Sequence, residues 1–545
     1  MAVNDYDKAI QGKLVEWDAI RDVLCGERAV KAKEDTYLCR LPGQRPVQGP
    51  DGQAVDLYKK YLELAVLLPF AGPFLSRVIG IVFRKPPVFT MPNKELQADC
   101  KNITLEAPAV TEEAFAKSVF RENSTTGHGC IVVDYSDVAG RAYQRLYRAG
   151  SIGRVWWGMN GAVAEPVRVT LKEYLTDPDV TKADDPFAVE EIEQWRVIEL
   201  RPDTPLTPQQ RDAAGVAGGD DRYPFGYLQH QLYRQELSKD GKRTGAFAKY
   251  GEVVVPTRRE TPLWFIPVVP FSPFAMSWSI EKPPVLDLVE LVLADYRLSA
   301  DYYGLLHKCG AGTILFGAGI ASTEQGKLSS VGAGIAMLCE QPTATLNYVQ
   351  TNGAAGVEIR TARVDLRADM GTALGRLMAA QQKNVAESGT ALELQFSGDD
   401  ATLQQITGTT ALALEQALKI QAWWNGTEKE PCEVNATVEL NDAFIKKGFT
   451  PKDLIELATF TDMKGWTERD LYFNLKKADQ LDPETTFEQW LANRQAGGAS
   501  MADLSNVIAE LEAAIAAQDQ DGIDVAMQSL RAATAHNPDQ MREVA

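Results

Sequence analysis

The stretch PPVLDLVELVLADYRLSADYYGLLHKCGAG at residues 283–312 decides the fold that this sequence predicts. Its apolar side chains recur at alternating intervals of three and four residues, which is the spacing of one continuous face of an α-helix. Two prolines open the stretch, where the first turn of a helix leaves N–H groups unpaired in any case. Gly310 and Gly312 end it. The residues that we assign to this face are Leu286, Val289, Leu293, Tyr296, Ala300, Tyr303 and His307.

A glycine-rich insert separates this helix from a second one. The insert, at about 310–357, holds three short apolar segments, which predict a small sheet that needs neighbours for its stability. The second helix is expected from about Thr361 to 386. One face of it carries Leu366, Met370, Ala373, Leu377 and Ala380. The strands of the insert are expected at 313–316, 335–338 and 344–349.

A third long helix is expected from Asp399, which is a favourable N-cap residue, to Asn425. Its central run Thr-Gly-Thr-Thr has poor helix propensity and predicts a kink at Gly408. The loop before it, from Lys383 to Asp399, is longer than a helix–helix connection requires, and long loops on rigid helices often carry function. Composition alone leaves a disordered connector equally open.

The other segments are helical or β-rich. Residues 1–40 predict one amphipathic helix, and alternating polar and apolar residues over 142–274 predict a β-rich body. The chain therefore belongs to the α+β class. Further helices are expected at 56–68, from there with an interruption to 83, and at 108–122, 452–459, 467–477, 484–493, 504–515 and 521–534, and further strands at 130–134 and 433–440.

Composition limits the function. The formal net charge of the 545 residues is −18. The chain as a whole is therefore not a strongly basic protein that binds nucleic acid tightly. The same balance suits a protein along which DNA slides, although acidity that only keeps the protein in solution is the simpler explanation. The apolar run 62–83 carries Glu63, Arg77 and two prolines, so we expect no membrane span there, and no signal peptide is visible.

No motif for catalysis is present, and we expect no enzyme, no cofactor and no metal. The seven cysteines are scattered without a CxxC pair, and neither a Walker motif nor a GxSxG elbow occurs. His128 lies near Cys130, but a strand cysteine is more often buried than reactive. The pairs Asp220-Asp221 and Asp399-Asp400 could bind Mg²⁺, yet they fit a solvated loop and a helix N-cap equally well or better.

Short motifs occur in an order and spacing that are specific only in combination. They are Trp17–Asp22 with Gly26 and Tyr37-Leu38, Arg77–Gly80, Val82–Pro87, Gln194–Val197, Ile266–Val269, Asp295–Asp301 and Ser388–Ala391. Through these motifs, over roughly 12–495, the chain resembles the bacteriophage portal proteins, in particular a portal-like family filed as a domain of unknown function. One departure is the sequence Glu387-Ser388-Gly389-Thr390-Ala391, where the family usually has Glu-Thr-Ala.

The resemblance implies a portal-type fold and a ring, commonly of twelve subunits, at one vertex of the capsid. Double-stranded DNA would be packaged and ejected through the ring without sequence recognition. The implied partners are other copies of the chain, the terminase large subunit, a head–tail adaptor, and the major capsid and scaffold proteins. The implied location is the virion, after synthesis in the cytoplasm of a bacterial host.

The resemblance also assigns parts and site residues. The implied parts are a wing at 1–282, stem helices at 283–309 and 358–386, a clip at 310–357, a tunnel loop at 387–399, a wing segment with the long kinked helix and a strand at 400–444, and a helical crown at 445–545. Residues implied to face DNA are Lys383, Asn384, Glu387, Ser388, Gly389 and Thr390. Residues expected to pack the stem are Leu286, Val289, Leu293, Tyr296, Tyr303, Leu366, Met370 and Leu377. Since the first stem helix is apolar on more than one side, we expect subunits of the ring to cover it.

Two other hypotheses remain open at this point. One is a monomeric hydrolase that uses a carboxylate pair in the β-rich body, although no sequence motif supports it. The other is a different head–tail connector, such as a collar or adaptor, although adaptors are usually much shorter than this chain.

Overall fold

A computed structural model describes most of the first 442 residues and two helices beyond them. The chain divides into two compact units, Met1–Asp442 and Ala443–Ala545. The described residues are 2–41, 44, 47–48, 54–91, 103–105, 110–178, 189–207, 210, 224–237, 243–311, 313–316, 346–349, 354–378, 389–442, 467–477 and 485–496.

Short amphipathic helices form the N-terminal part of the first unit. Helix α1, Lys8–Cys25, begins after Asp7, whose side chain accepts a backbone hydrogen bond, and it buries Trp17 and Ile20. The single helix predicted for 1–40 is divided at Gly26, because this residue has a φ of 101°. The other elements here are α2 (Glu27–Ala32), β1 (Val47–Gln48), β2 (Ala54–Val55), α3 (Leu57–Leu64), α4 (Ala71–Val82), β3 (Val88–Thr90) and α5 (Glu112–Thr125).

Two antiparallel sheets make up most of the β-rich body, which confirms the predicted strand content of 142–274. The smaller sheet has the order β13-β4-β5, and the larger one has the order β10-β9-β8-β7-β6, in which consecutive strands are neighbours. The strands are β4 (Gly129–Ser136), β5 (Arg141–Arg148), β6 (Ile152–Asn160), β7 (Val163–Pro178), β8 (Val189–Arg201), β9 (Tyr227–Leu237), β10 (Arg243–Val254) and β13 (Val268–Phe271). Between the last two, β11 (Thr257–Arg258) and β12 (Thr261–Pro262) form a tight hairpin.

A helix–hairpin–helix excursion follows the body. Helix α6, Leu286–Ala311, leads to β14, Thr313–Phe316, which pairs with β15, Leu346–Val349, and helix α7, Ala354–Met378, returns and packs against α6. Two of the three strands predicted in the insert are therefore present. The third, at 335–338, lies outside the described residues.

Helix α8, Gly389–Asn425, is the longest described element. The loop predicted at 387–399 is helix from Gly389 onward, and Asp399 lies inside that helix instead of at its N-cap. Residues 391–396, Ala-Leu-Glu-Leu-Gln-Phe, include strong helix formers, which outweigh the small polar residues on either side of them. Residues 379–388 lie outside the described part of the chain. The first unit ends with β16 (Thr437–Glu439), which pairs with β3.

In the second unit the structure describes α9, Glu468–Lys477, and α10, Phe487–Ala496. The Tyr472 ring packs against Phe487 and Trp490, at centroid distances of 5.4 and 5.7 Å, and its hydroxyl donates to the Thr485 carbonyl. These helices match two of those predicted for the region. The helices predicted at 452–459 and 504–534 lie outside the described residues.

Candidate functional site

The hairpin of α6 and α7, supported by α8, is the candidate site. Along the first half of α6, Leu286, Val289, Leu293, Tyr296 and Ala300 are all buried. Leu288 and Val292 on another side of the helix are buried too, as is Val285 just before it. Helices α1, α3, α4 and α7 of the same chain contact α6, so its burial on several sides needs no second subunit. This corrects the expectation that ring neighbours must supply the cover.

The outer half of α6 is more open. Tyr303, expected to pack the stem, is 37% exposed, because the last turns of the helix are covered on fewer sides and Leu306 and His307 are exposed as well. On α7, Met370 is fully buried and Leu366 is half-buried. The side chain of Leu377 lies outside those that the structure describes.

A buried ion pair joins the two helices. The guanidinium of Arg363 on α7 donates twice to the carboxylate of Asp295 on α6, at 2.8 and 3.1 Å, and both side chains are almost fully enclosed. The hydrogen bond to Asp295 raises the pKa of Arg363. Arg367, one turn further along α7, lies 3.9 Å from the same carboxylate. A bidentate pair of this kind fixes the register of α6 against α7.

Polar contacts also tie α6 to the N-terminal helices. The Ser299 hydroxyl donates to the Val66 carbonyl and accepts from the Val66 N–H. The Tyr61 hydroxyl donates to Asp301 at 2.7 Å, and burial raises the pKa of that phenol. The base of the hairpin is therefore held by its own chain.

Helix α8 is anchored in the body at the run where a kink was predicted. The buried amide of Asn123 on α5 donates to the hydroxyls of Thr409 and Thr410, at 3.2 and 3.0 Å. Both threonine hydroxyls also reach the Ile406 carbonyl one turn back. The helix continues across Gly408, which is exposed, so the kink stays a prediction.

Two arginines hold the C-terminal end of α8. Arg258 and Arg259 both donate to the Gly426 carbonyl, at 2.7 and 2.8 Å, where the helix leaves carbonyls unpaired and the dipole favours positive charge. Arg259 and Glu260, the two turn residues between β11 and β12, both have positive φ, which is uncommon for residues other than glycine. The strained turn therefore positions the guanidinium groups.

A chain of buried charged groups crosses the β-rich body. Arg196 donates to Glu173 at 2.9 Å and to Asp134 at 3.4 Å. Burial raises the pKa of Glu173, but the charges of Arg196 and Arg145 outweigh it, so the pKa is lowered overall. His230 lies 3.9 Å from Asp134, and burial lowers its pKa to about 4. These carboxylates are neutralised by arginine within the core, which is how buried charges are retained in a folded structure.

His128 and Cys130 are both buried. Burial raises the pKa of the Cys130 thiol, so the thiolate that a nucleophile requires is disfavoured. Burial lowers the pKa of His128 to about 4, and its ring stacks on Trp17. The pair Asp220-Asp221 lies outside the described residues, and the side chains of Asp399-Asp400 lie outside those described.

The polar groups that fix this site carry little signal in the sequence. Asp295 lies within the motif Asp295–Asp301, whereas Arg363 and Asn123 belong to no motif. Among the described residues, no group of three or more His, Cys, Asp or Glu could hold a metal ion, and no helix is long and apolar enough to cross a membrane.

Comparison with known proteins gives one match along the sequence. Residues 284–425 are similar to a family described as "Domain of unknown function (DUF4055)". The match begins just before α6 and ends at the last residue of α8, so it covers the hairpin and its supporting helix. No curated protein matches the chain.

Two solved structures are similar at low level. One chain belongs to "Neck of empty GTA particle computed with C6 symmetry", with a TM-score of 0.34 and 11% identity, over 77% of this chain and 91% of that chain. The other belongs to "Virion of native gene transfer agent (GTA) particle", with a TM-score of 0.34 and 11% identity, over 81% of this chain and 94% of that chain.

Proposed function

We propose that this chain is a structural subunit of a phage-type particle and, more specifically, a portal. Copies of it form a ring at one capsid vertex, and double-stranded DNA enters and leaves through the ring. The observation that carries the proposal is the excursion α6–β14–β15–α7, followed by the long helix α8. The portal-like motif Asp295–Asp301 lies in α6, and the residues Gly389–Ala391 of the motif Ser388–Ala391 begin α8.

The proposal gives each part a role. Helices α6 and α7 are the stem, and the hairpin β14–β15 belongs to the clip, which would meet the terminase large subunit and later a head–tail adaptor. The segment 383–390 faces DNA. The β-rich body with the N-terminal helices is the wing, and the region after 444 is the crown. Major capsid and scaffold proteins surround the ring in the virion.

The net charge of the chain favours a channel through which DNA passes over a site that binds DNA tightly. With a net charge of −18, a ring of many copies repels the phosphate backbone at long range, so DNA passes without tight binding. No catalytic step is part of the proposal.

The hydrolase hypothesis has no observation in its favour. Among the described carboxylates of the β-rich body, Asp134 and Glu173 share Arg196 in the interior, and Glu199 and Asp203 share Arg201.

Negative-stain electron microscopy of the purified chain, with light scattering for mass, tests the proposal. We expect rings with a central hole and a mass that is a multiple of the 59.9 kDa chain. A particle of one chain mass at every concentration, with or without scaffold protein, would overturn it.

A further inference from the structure

Helix α7 carries apolar residues on two opposite faces. The inner face, which Arg363 directs to α6, holds Ile359, Leu366 and Met370, all buried or half-buried. The outer face is exposed, and Val357 and Val364 on it are 62% and 54% exposed. The outer residues repeat at intervals of four, three, four and three: Val357, Thr361, Val364, Ala368 and Gly371. A stripe of valines and small residues with this heptad spacing is the pattern of a helix that packs along a second helix.

The charges beside the stripe are separated by sign. At 100° per residue, Glu358, Asp365 and Asp369 lie along one edge of the stripe, and all three are exposed. Arg360 and Arg367 lie along the opposite edge, and both are exposed. Thus one edge of α7 is acidic and the other is basic, over the part of the helix whose side chains are described. Helices that pack along a seam choose partner and direction through such flanking charges.

The charge pattern selects one arrangement. Two copies of α7 that run parallel and in register bring the basic edge of one against the acidic edge of the other, so Arg360 lies closest to Asp365 of its neighbour. Antiparallel copies bring each edge against itself, which places like charges together. A neutral partner would complement neither edge, and a partner with charges of one sign would complement only one.

We infer that the outer face of α7 is an interface between copies of this chain, packed parallel with basic edge against acidic edge. The inference rests on the proposed ring and adds the surface that closes it. In a ring of parallel copies each α7 has two neighbours, so its basic edge meets the acidic edge of one and its acidic edge meets the basic edge of the other, which is a head-to-tail contact. Arg367 keeps its 3.9 Å contact with Asp295, so this edge also depends on the hairpin being assembled.

Charge reversal and rescue test the interface. Arg360→Glu places an acid opposite Asp365 of the neighbouring copy, and Asp365→Arg places a base opposite Arg360 of its neighbour, so each variant alone has a like-charge pair at the contact. We expect the protein concentration at which half the chains are in rings, measured by analytical ultracentrifugation at low salt, to rise about fivefold in each. An equal mixture of the two variants, and the double variant R360E/D365R, should both return to the wild-type concentration.

Matched controls reverse one exposed charge elsewhere. Lys59→Glu on α3 and Asp137→Arg in the β4–β5 turn make the same changes in net charge and should assemble like wild type. If R360E and D365R assemble like these controls, or if the mixture fails to recover, the interface is wrong while the ring stands. If the wild-type chain forms no rings at all, both the ring and this interface are overturned.

Discussion

Asp295 and Arg363 are both buried between α6 and α7. Since neither charge is solvated by water, each is stabilised in the folded chain chiefly by the other. Asp295→Leu leaves the guanidinium buried without its partner, and we expect a loss of about 3–5 kcal/mol in the free energy of unfolding. The double variant D295L/R363L should recover a large part of this loss, because no uncompensated charge remains. Chemical denaturation measures both variants.

Glu290→Ala, an exposed acid on the same helix, is the control for Asp295 and should change stability by less than about 0.5 kcal/mol. Equal effects of D295L and E290A would show that the ion pair does not hold the hairpin.

His230 makes the stability of the first unit depend on pH. Its pKa is lowered by burial to about 4 in the folded chain, against 6.5 for an ordinary histidine, so the unfolded chain binds the extra proton. The stabilising contribution is complete above pH 6.5 and is lost as pH falls toward 4, by up to about 3 kcal/mol. We expect His230→Gln to flatten the decline in stability between pH 6.5 and 4, measured by denaturant titration at several pH values.

His307→Gln provides the comparison for this pH dependence, because His307 is exposed on α6. A decline that is equally steep in wild type, H230Q and H307Q would contradict the assignment to His230. His128 is buried in the same way and should account for the part of the decline that H230Q leaves.

The helices show which features a sequence pattern predicts well. The apolar spacing from Leu286 to Ala300 was enough to place α6, since one face of that helix is packed by α7 and the N-terminal helices. The same spacing failed at Tyr303, because periodicity does not tell where the neighbouring elements end. Burial at a helix end is decided by tertiary contacts that lie far apart in sequence.

Helix α8 illustrates a second limit. Gly389, Ser397 and Gly398 suggested a loop, yet the helix runs through 389–399, since local composition on its own is a weak predictor inside a long helix. The candidate site was located only coarsely for a related reason. Asn123 donates hydrogen bonds to Thr409 and Thr410, which lie nearly three hundred residues later in the sequence, and no periodicity in either segment predicts that contact.

Helix α7 shows both limits, because its exposed valines and its buried Met370 place apolar residues on two opposite faces. Such a pattern is ambiguous in the sequence. The structure resolves it into an inner face that packs against α6 and an outer face that is exposed.

In the proposed ring, different parts of the chain serve assembly and DNA passage, and a deletion at the start of α8 tests this. Deleting residues 387–397 removes the first nine residues of α8, about two and a half turns, while the buried Leu403 and Ile406 still anchor the rest of the helix in the body. Since none of the contacts of α6 with α7 lies there, we expect rings of unchanged subunit number by light scattering. DNA packaged or retained in particles should fall.

A variant that replaces 387–397 with a glycine–serine segment of the same length distinguishes spacing from side chains. If it packages DNA normally while the deletion does not, the segment acts through its length. If both variants package poorly and still form rings, its side chains act on DNA. Loss of the ring in both would show instead that the start of α8 is a structural part of the assembly, and the role proposed for 383–390 would be withdrawn.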